Sequence, residues 1–191
     1  MDRSYIAAEI YNTLAEHDGW RSYCDPALAF DRAELGDLLD LWRTARGAAD
    51  MPTRTSLTAR LLKRHIPSIA IYEMTDASPV RFRARLMGTR LAQTVGDFTG
   101  KFVDDVIPAW HVKRVHAALE TVLAAGAPLR FVSNADIIDK QYYVAEYLMV
   151  PLTGDDGQPD MVLSRAHFST VTSWPAYLNA VKYRKAAQPV F

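Results

Sequence analysis

The stretch YYVAEYLMVPL, residues 142–152, constrains this chain more than any other. Its aromatic and β-branched content marks a strand. Alternation puts Tyr143, Ala145, Tyr147 and Met149 on one face and Tyr142, Val144, Glu146, Leu148 and Val150 on the other. Both sets are largely apolar. A strand of this kind belongs in a sheet covered on both sides, so the chain must supply two covers.

The first fifty residues read as two helices. Ile6, Ile10, Leu14 and Thr13 form a narrow stripe in the first, which Asp18-Gly19 ends. WRSYCDPALAF reads as a connector. The second helix opens with Asp31 and Glu34 in capping-box spacing and stops at Gly47. Leu35, Leu38, Leu39, Trp42 and Ala45 share one face, away from Glu34, Asp37 and Asp40. Leu and Trp at that spacing mark a packing face, and this helix is the expected second cover, in its own subunit or exchanged with a dimer partner.

After a loop with a helical turn near residues 61–64, the period changes. SIAIYEMT, the turn DASP and VRFRARLMGTR predict a β-hairpin. Glycine-punctuated pieces over 89–108 suit short helices. Pro108 opens a long helix with Val112, Val115, Leu119, Val122 and Leu123 inward and Gly126 at its end. Three strands follow, at 129–138, 142–152 and 160–171, with TGDDGQP between the last two. A helix from Trp174 to Lys185, capped by Ser173, closes the chain. The simplest solution is an α+β fold: a five-stranded antiparallel sheet with helices on one face, plus an N-terminal helical extension. The expected divisions are an extension over 1–47, a core over 48–172 and a C-terminal helix and tail over 173–191.

In the second hairpin strand, Arg81, Arg83 and Arg85 alternate with Phe82, Ala84 and Leu86, which makes one face of guanidinium groups. The chain has 22 basic and 22 acidic residues, yet residues 1–50 carry ten acids and five bases, and residues 51–101 nine bases and three acids. Nucleic acid is therefore not the expected occupant of the arginine face. The expected partners are acids of the N-terminal region, or cross-strand Glu73 and Glu146, with Phe82, Ala84 and Leu86 toward the core. Each exposed pair would contribute about 0.2–1 kcal/mol.

Cys24 is the single cysteine, so no internal disulfide forms, and a reducing compartment fits. No signal-peptide pattern or bilayer-spanning apolar run is present, so a cytoplasmic, non-membrane protein is expected. No nucleophile elbow, phosphate loop, HExxH or CxxC occurs, and no metal set is expected. Asp104-Asp105 and Asp155-Asp156 are adjacent pairs that a helix start and a turn explain, so no catalytic residue is assigned.

LLDLWRTARGAADMPTR (38–54), VRFRARLMGTRLAQTVGDFTGK (80–101), AALETVLAAGAPL (117–129), EYLMVPL (146–152) and DMVLSRAHF (160–168) together resemble a PAS domain, over roughly 35–171. They are similar in particular to stand-alone bacterial PAS proteins of the alphaproteobacterial type. The resemblance implies a sensory module that binds a small ligand or a protein partner; with no catalytic motif in the chain, the expected role is regulation of a partner without catalysis, in a homodimer. It names no cofactor. The core cysteine of flavin photoreceptors is absent, and haem-binding relatives would use a histidine of the long helix, His116 or His111. In a PAS architecture the ligand-lining candidates are Ser133, Tyr143, Tyr147, Arg165 and His116. The interface candidates are Leu35, Leu38, Leu39 and Trp42 with Arg81, Arg83 and Arg85. The alternative is a small α+β ligand-binding or enzymatic domain of the cone-shaped type.

Overall fold

The computed structural model describes residues 2–76, 78–135, 143–154 and 157–187. In chain order the elements are α1 (Arg3–His17), β1 (Ser22–Asp25), α2 (Ala33–Arg46), β2 (Ile69–Met74), β3 (Phe82–Met87), α3 (Thr89–Val95), α4 (Val103–Val106), α5 (Ala109–Ala125), β4 (Leu129–Asn134), β5 (Tyr143–Leu152), β6 (Met161–Thr170) and α6 (Trp174–Ala187). The strands form one antiparallel sheet in the order β1-β4-β5-β6-β2-β3. The expected continuation of β4 over 136–138, Tyr142 and the pair Asp155-Asp156 lie outside the described residues.

Six strands replace the expected five. The sixth, β1, comes from the stretch read as a connector and pairs with β4, Ser22 opposite Ser133 and Asp25 opposite Arg130. Four residues followed by Pro26 give too little pattern to announce a strand. At Cys24 the outer backbone groups of β1 are met by α1. Asn12 Nδ2 donates to the Cys24 carbonyl at 2.9 Å, and the Cys24 N–H donates to Asn12 Oδ1 at 2.7 Å.

Helices cover both faces, with α2 as the expected second cover. On the inner face, α1 and α5 pack over Phe131, Met149, Phe82 and Val162. On the outer face, Leu35, Leu38, Leu39 and Trp42 of α2 pack on Ile69, Ile71, Leu148, Val150 and Leu163. Trp42 Nε1 donates to the Pro151 carbonyl at 2.8 Å, so the indole is buried with its polar atom satisfied. This is the two-sided cover that the apolar alternation of β5 demands.

The stripe on α1 is not the expected one. Ser4, Ala8, Tyr11 and Ala15 are buried, while Ile6 and Ile10 are 41% and 65% exposed. Small residues at 8 and 15 let α1 approach α5 and β1, and Tyr11 fills the remaining space with its ring edge on Phe131. The capping box at α2 is also replaced. Arg32 is the N-cap and makes no side-chain cap bond, because Asp31 is drawn into the ion cluster described below.

The arginine strand is divided rather than forming one face. Phe82 and Ala84 point into the inner core as expected, but a register shift between Ile71 and Tyr72 turns Leu86 toward the α2 side. A bulge adds one residue and so inverts the alternation beyond it. Arg81 pairs with Asp104 and Asp105 of α4, both at 2.6 Å, and Arg85 pairs with Glu73 at 2.9 Å. Arg83 lies over the Phe102 ring at 5.0 Å. Of the expected partners only Glu73 serves, and Glu146 is engaged elsewhere. At the end of β3, Gly88 approaches the chain so closely that a Cβ would sit 1.9 Å from the Ile66 carbonyl oxygen. Only glycine lets β3 pass directly into α3 there.

Candidate functional site

The inner face of the sheet, α1 and the α3–α5 region enclose a cavity of about 110 Å³. For scale, an engineered cavity of about 150 Å³ accepts benzene. Its apolar wall is Leu91, Val95, Phe98, Val103, Ile107, Leu119 and Met149. At the end formed by α1, β1 and β4 the lining turns polar, with Tyr11, Ser22, Ser133, Asn134 and Arg114. Tyr11 Oη and Ser22 Oγ share a hydrogen bond of 2.7 Å. Burial pushes the Tyr11 phenol well above its ordinary range, so it stays protonated. Tyr72 is raised by burial in the same way.

Of the five residues expected to line a ligand site, Ser133 and Tyr147 do so. Tyr143, Arg165 and His116 are not among the lining residues. Tyr143 begins β5, opposite Thr170 at the far end of the β5–β6 ladder from Leu152. His116 stacks edge-on against Phe82, and its Nε2 lies 2.5 Å from Asp104 Oδ1. His111 is buried beside Trp110, away from the cavity wall. Neither histidine faces the cavity and the cavity is smaller than a benzene site, so the residues present do not fit a haem. Among the described residues, no group of three or more metal-ligating side chains is clustered.

Sequence reasoning missed Tyr11, Ser22 and Arg114. The buried residues of α5 are His111, Arg114, Ala118, Leu119, Val122 and Ala125, a stripe rotated from the expected one. A guanidinium on that stripe was the available signal. Tyr11 and Ser22 depend on β1, which left no pattern to read.

Arg165 lies on the other side of the sheet. Its Nη1 donates to the Glu34 carbonyl at 2.7 Å and also contacts His65 Nδ1. Burial first, then Arg165 and Arg64, lower the His65 pKa to about 4. The unfolded imidazole titrates near about 6.5, so between these values the unfolded chain takes a proton that the folded chain refuses. Stability should fall as pH drops from 6.5 toward 4. Urea midpoints at pH 7 and 4.5 check this, and His65→Gln, which keeps an acceptor without a titrating group, should flatten the difference.

A second polar centre is buried beneath the segment joining β1 and α2. Arg130, 1% exposed, donates to Glu146 at 2.6 Å, Asp25 at 3.2 Å and Asp31 at 3.5 Å. Asp25 also accepts the backbone N–H of Ala27 and Ala29, and Glu146 that of Asp31. Asp31 in turn holds α6, accepting from Tyr177 Oη at 3.3 Å and pairing with Arg184. Burial raises the Glu146 pKa, and Arg130 opposes the rise. The acids of the first fifty residues therefore do meet arginines, but these are Arg43, Arg130 and Arg184, not the β3 arginines.

No curated protein matches the chain. Among solved structures it is similar to a sensory box sensor histidine kinase from Vibrio cholerae, at 13% identity and a TM-score of 0.42, covering 75% of this chain and 98% of that one. It is also similar to an RNA-binding light-oxygen-voltage receptor, at 12% identity and a TM-score of 0.39, covering 70% of this chain and 40% of that one. Among the described residues no helix is long and apolar enough to cross a membrane. Residues 31–165 match the PAS domain family, a match that runs from the start of α2 to the middle of β6 and leaves out α1 and β1, and the chain belongs to that family.

Proposed function

We propose that the chain is a sensory module whose inner cavity takes a small, mainly apolar molecule with one polar end, and that occupancy regulates a protein partner. The carrying observation is that the polar end of the cavity is built partly by Tyr11 and Ser22, from α1 and β1, and partly by Ser133 and Asn134 of the core. A ligand there touches both parts and can shift α1 against the sheet. No catalytic role is assigned to any residue. The exposed Ile6 and Ile10 on α1 support pairing of two chains through this helix.

Native mass spectrometry of protein taken from its own host would report a bound small molecule and the assembly together. Pyrrole, an apolar ring smaller than benzene with one N–H donor, is a suitable probe. At about 100 times its Kd it should stabilise by about 2.7 kcal/mol, which is several degrees in Tm. Ala118→Phe, which fills the cavity, should abolish the shift. A wild-type protein that carries nothing and responds to no small aromatic probe would defeat the reading.

A further inference from the structure

The outer end of β6 gathers positive charge. Arg165 is tied to the start of α2 through the Glu34 carbonyl at 2.7 Å, and it contacts His65. Across the ladder it faces Ile69, which brings the 64–68 segment alongside. Gly88 packs against Ile66 and Pro67, so the first turn of α3, with Arg90, comes to the same end of the sheet. Arg32, Arg64 and Arg90 are exposed, and among the described residues none of the three forms an ion pair.

These groups act on one another. Arg64 and Arg90 lie within electrostatic reach of Arg165, and Arg32 and Arg90 within reach of His167. Burial first, and then these arginines, hold His65 and His167 below the ordinary imidazole range, so neither adds charge at neutral pH. The acids in the same neighbourhood are Glu34 and Asp37, with Glu146 within reach of Arg32 but held by Arg130. Four guanidinium groups thus face three carboxylates, one of them already paired with Arg130, in a chain whose total charge is zero. Like charges held together on a surface cost stability unless something outside neutralises them.

We propose that this patch docks an acidic segment of a partner protein. Arg32, Arg64 and Arg90 come from three separate elements around Arg165, whose Nη1 is already engaged by a carbonyl. That layout suits an extended run of carboxylates rather than one compact anion. Arg165 lies on the side of the sheet opposite the cavity, whereas Arg90 begins α3, whose Leu91 and Val95 line it.

The test uses the full chain and a labelled glutamate-rich peptide at low salt, followed by fluorescence anisotropy. Wild-type protein should bind, and affinity should fall as salt rises. The combined variant Arg32→Glu, Arg64→Glu and Arg90→Glu should weaken binding at least about tenfold. The control Arg3→Glu, Arg43→Glu and Arg46→Glu carries the same charge change on exposed helical positions elsewhere and should leave binding within about twofold. Arg90→Gln alone should give an intermediate loss. Equal weakening by both triple variants, no binding by wild type at low salt, or tighter binding of a single-stranded RNA of matched charge would each overturn the proposal. Thermal melts of the variants confirm that they are folded.

Discussion

A chain beginning at residue 48 should fail to give a soluble, cooperatively folding monomer. Removing residues 1–47 strips Leu35, Leu38, Leu39 and Trp42 from the outer face of β2, β5 and β6. At about 1.5–3 kcal/mol for each buried side chain, the loss is on the order of 6–12 kcal/mol. That is comparable with the whole stability of a typical domain, about 5–15 kcal/mol. The same cut removes β1 and leaves Arg130 and Glu146 without Asp25 and Asp31. Size-exclusion chromatography and circular dichroism check the result, which should be aggregation or a broad, non-cooperative melt. A monodisperse 48–191 chain with a sharp transition would show that the core closes without its N-terminal segment.

The second large effect is expected from Arg130→Met. The substitution keeps much of the volume but leaves Asp25 and Glu146 buried without their counter-charge. Breaking a buried pair from one side costs about 3–5 kcal/mol. For a chain of this size that corresponds to a fall in Tm of between about 6 and 20 °C. Glu146, already raised by burial, loses the group that opposes the rise and should take up a proton. The gap between the variant and the wild type should therefore narrow as pH is lowered toward 5, on top of the His65-linked loss that both share. Adding Glu146→Leu to Arg130→Met should restore part of the stability, since it removes one uncompensated charge. Thermal melts of the single and double variants at two pH values decide it. A single variant within about 1 kcal/mol of wild type would mean that the cluster contributes little.

The sequence announces its core better than its site. The apolar faces of β5 and the stripe of α2 are local, periodic and unambiguous, and the structure joins the two directly. β1 was hidden because four residues beside a proline carry no period. With it went Tyr11, Ser22 and the polar end of the cavity. Arg114 was obscured because a stripe of valines and leucines one step around α5 looked like the better inward face. The charge imbalance between the first two parts of the chain was real. Its pairing was not legible, because composition reports totals, whereas Arg130 meets Asp25 only through a strand register 105 residues apart in sequence. The three arginines of β3 show the same limit. Their alternation was visible, but the carboxylates of α4 come near only once the loop after α3 has folded back.

The two hydrogen bonds between Asn12 and Cys24, one in each direction, have a consequence for assembly. A side-chain amide presents one donor and one acceptor, as a neighbouring strand does, and here it occupies the place where such a strand would add. At Cys24 the β1 border of the sheet is thereby closed to recruitment of another chain through its backbone. Association on that side must run through side chains, where identity rather than the common peptide unit selects the partner.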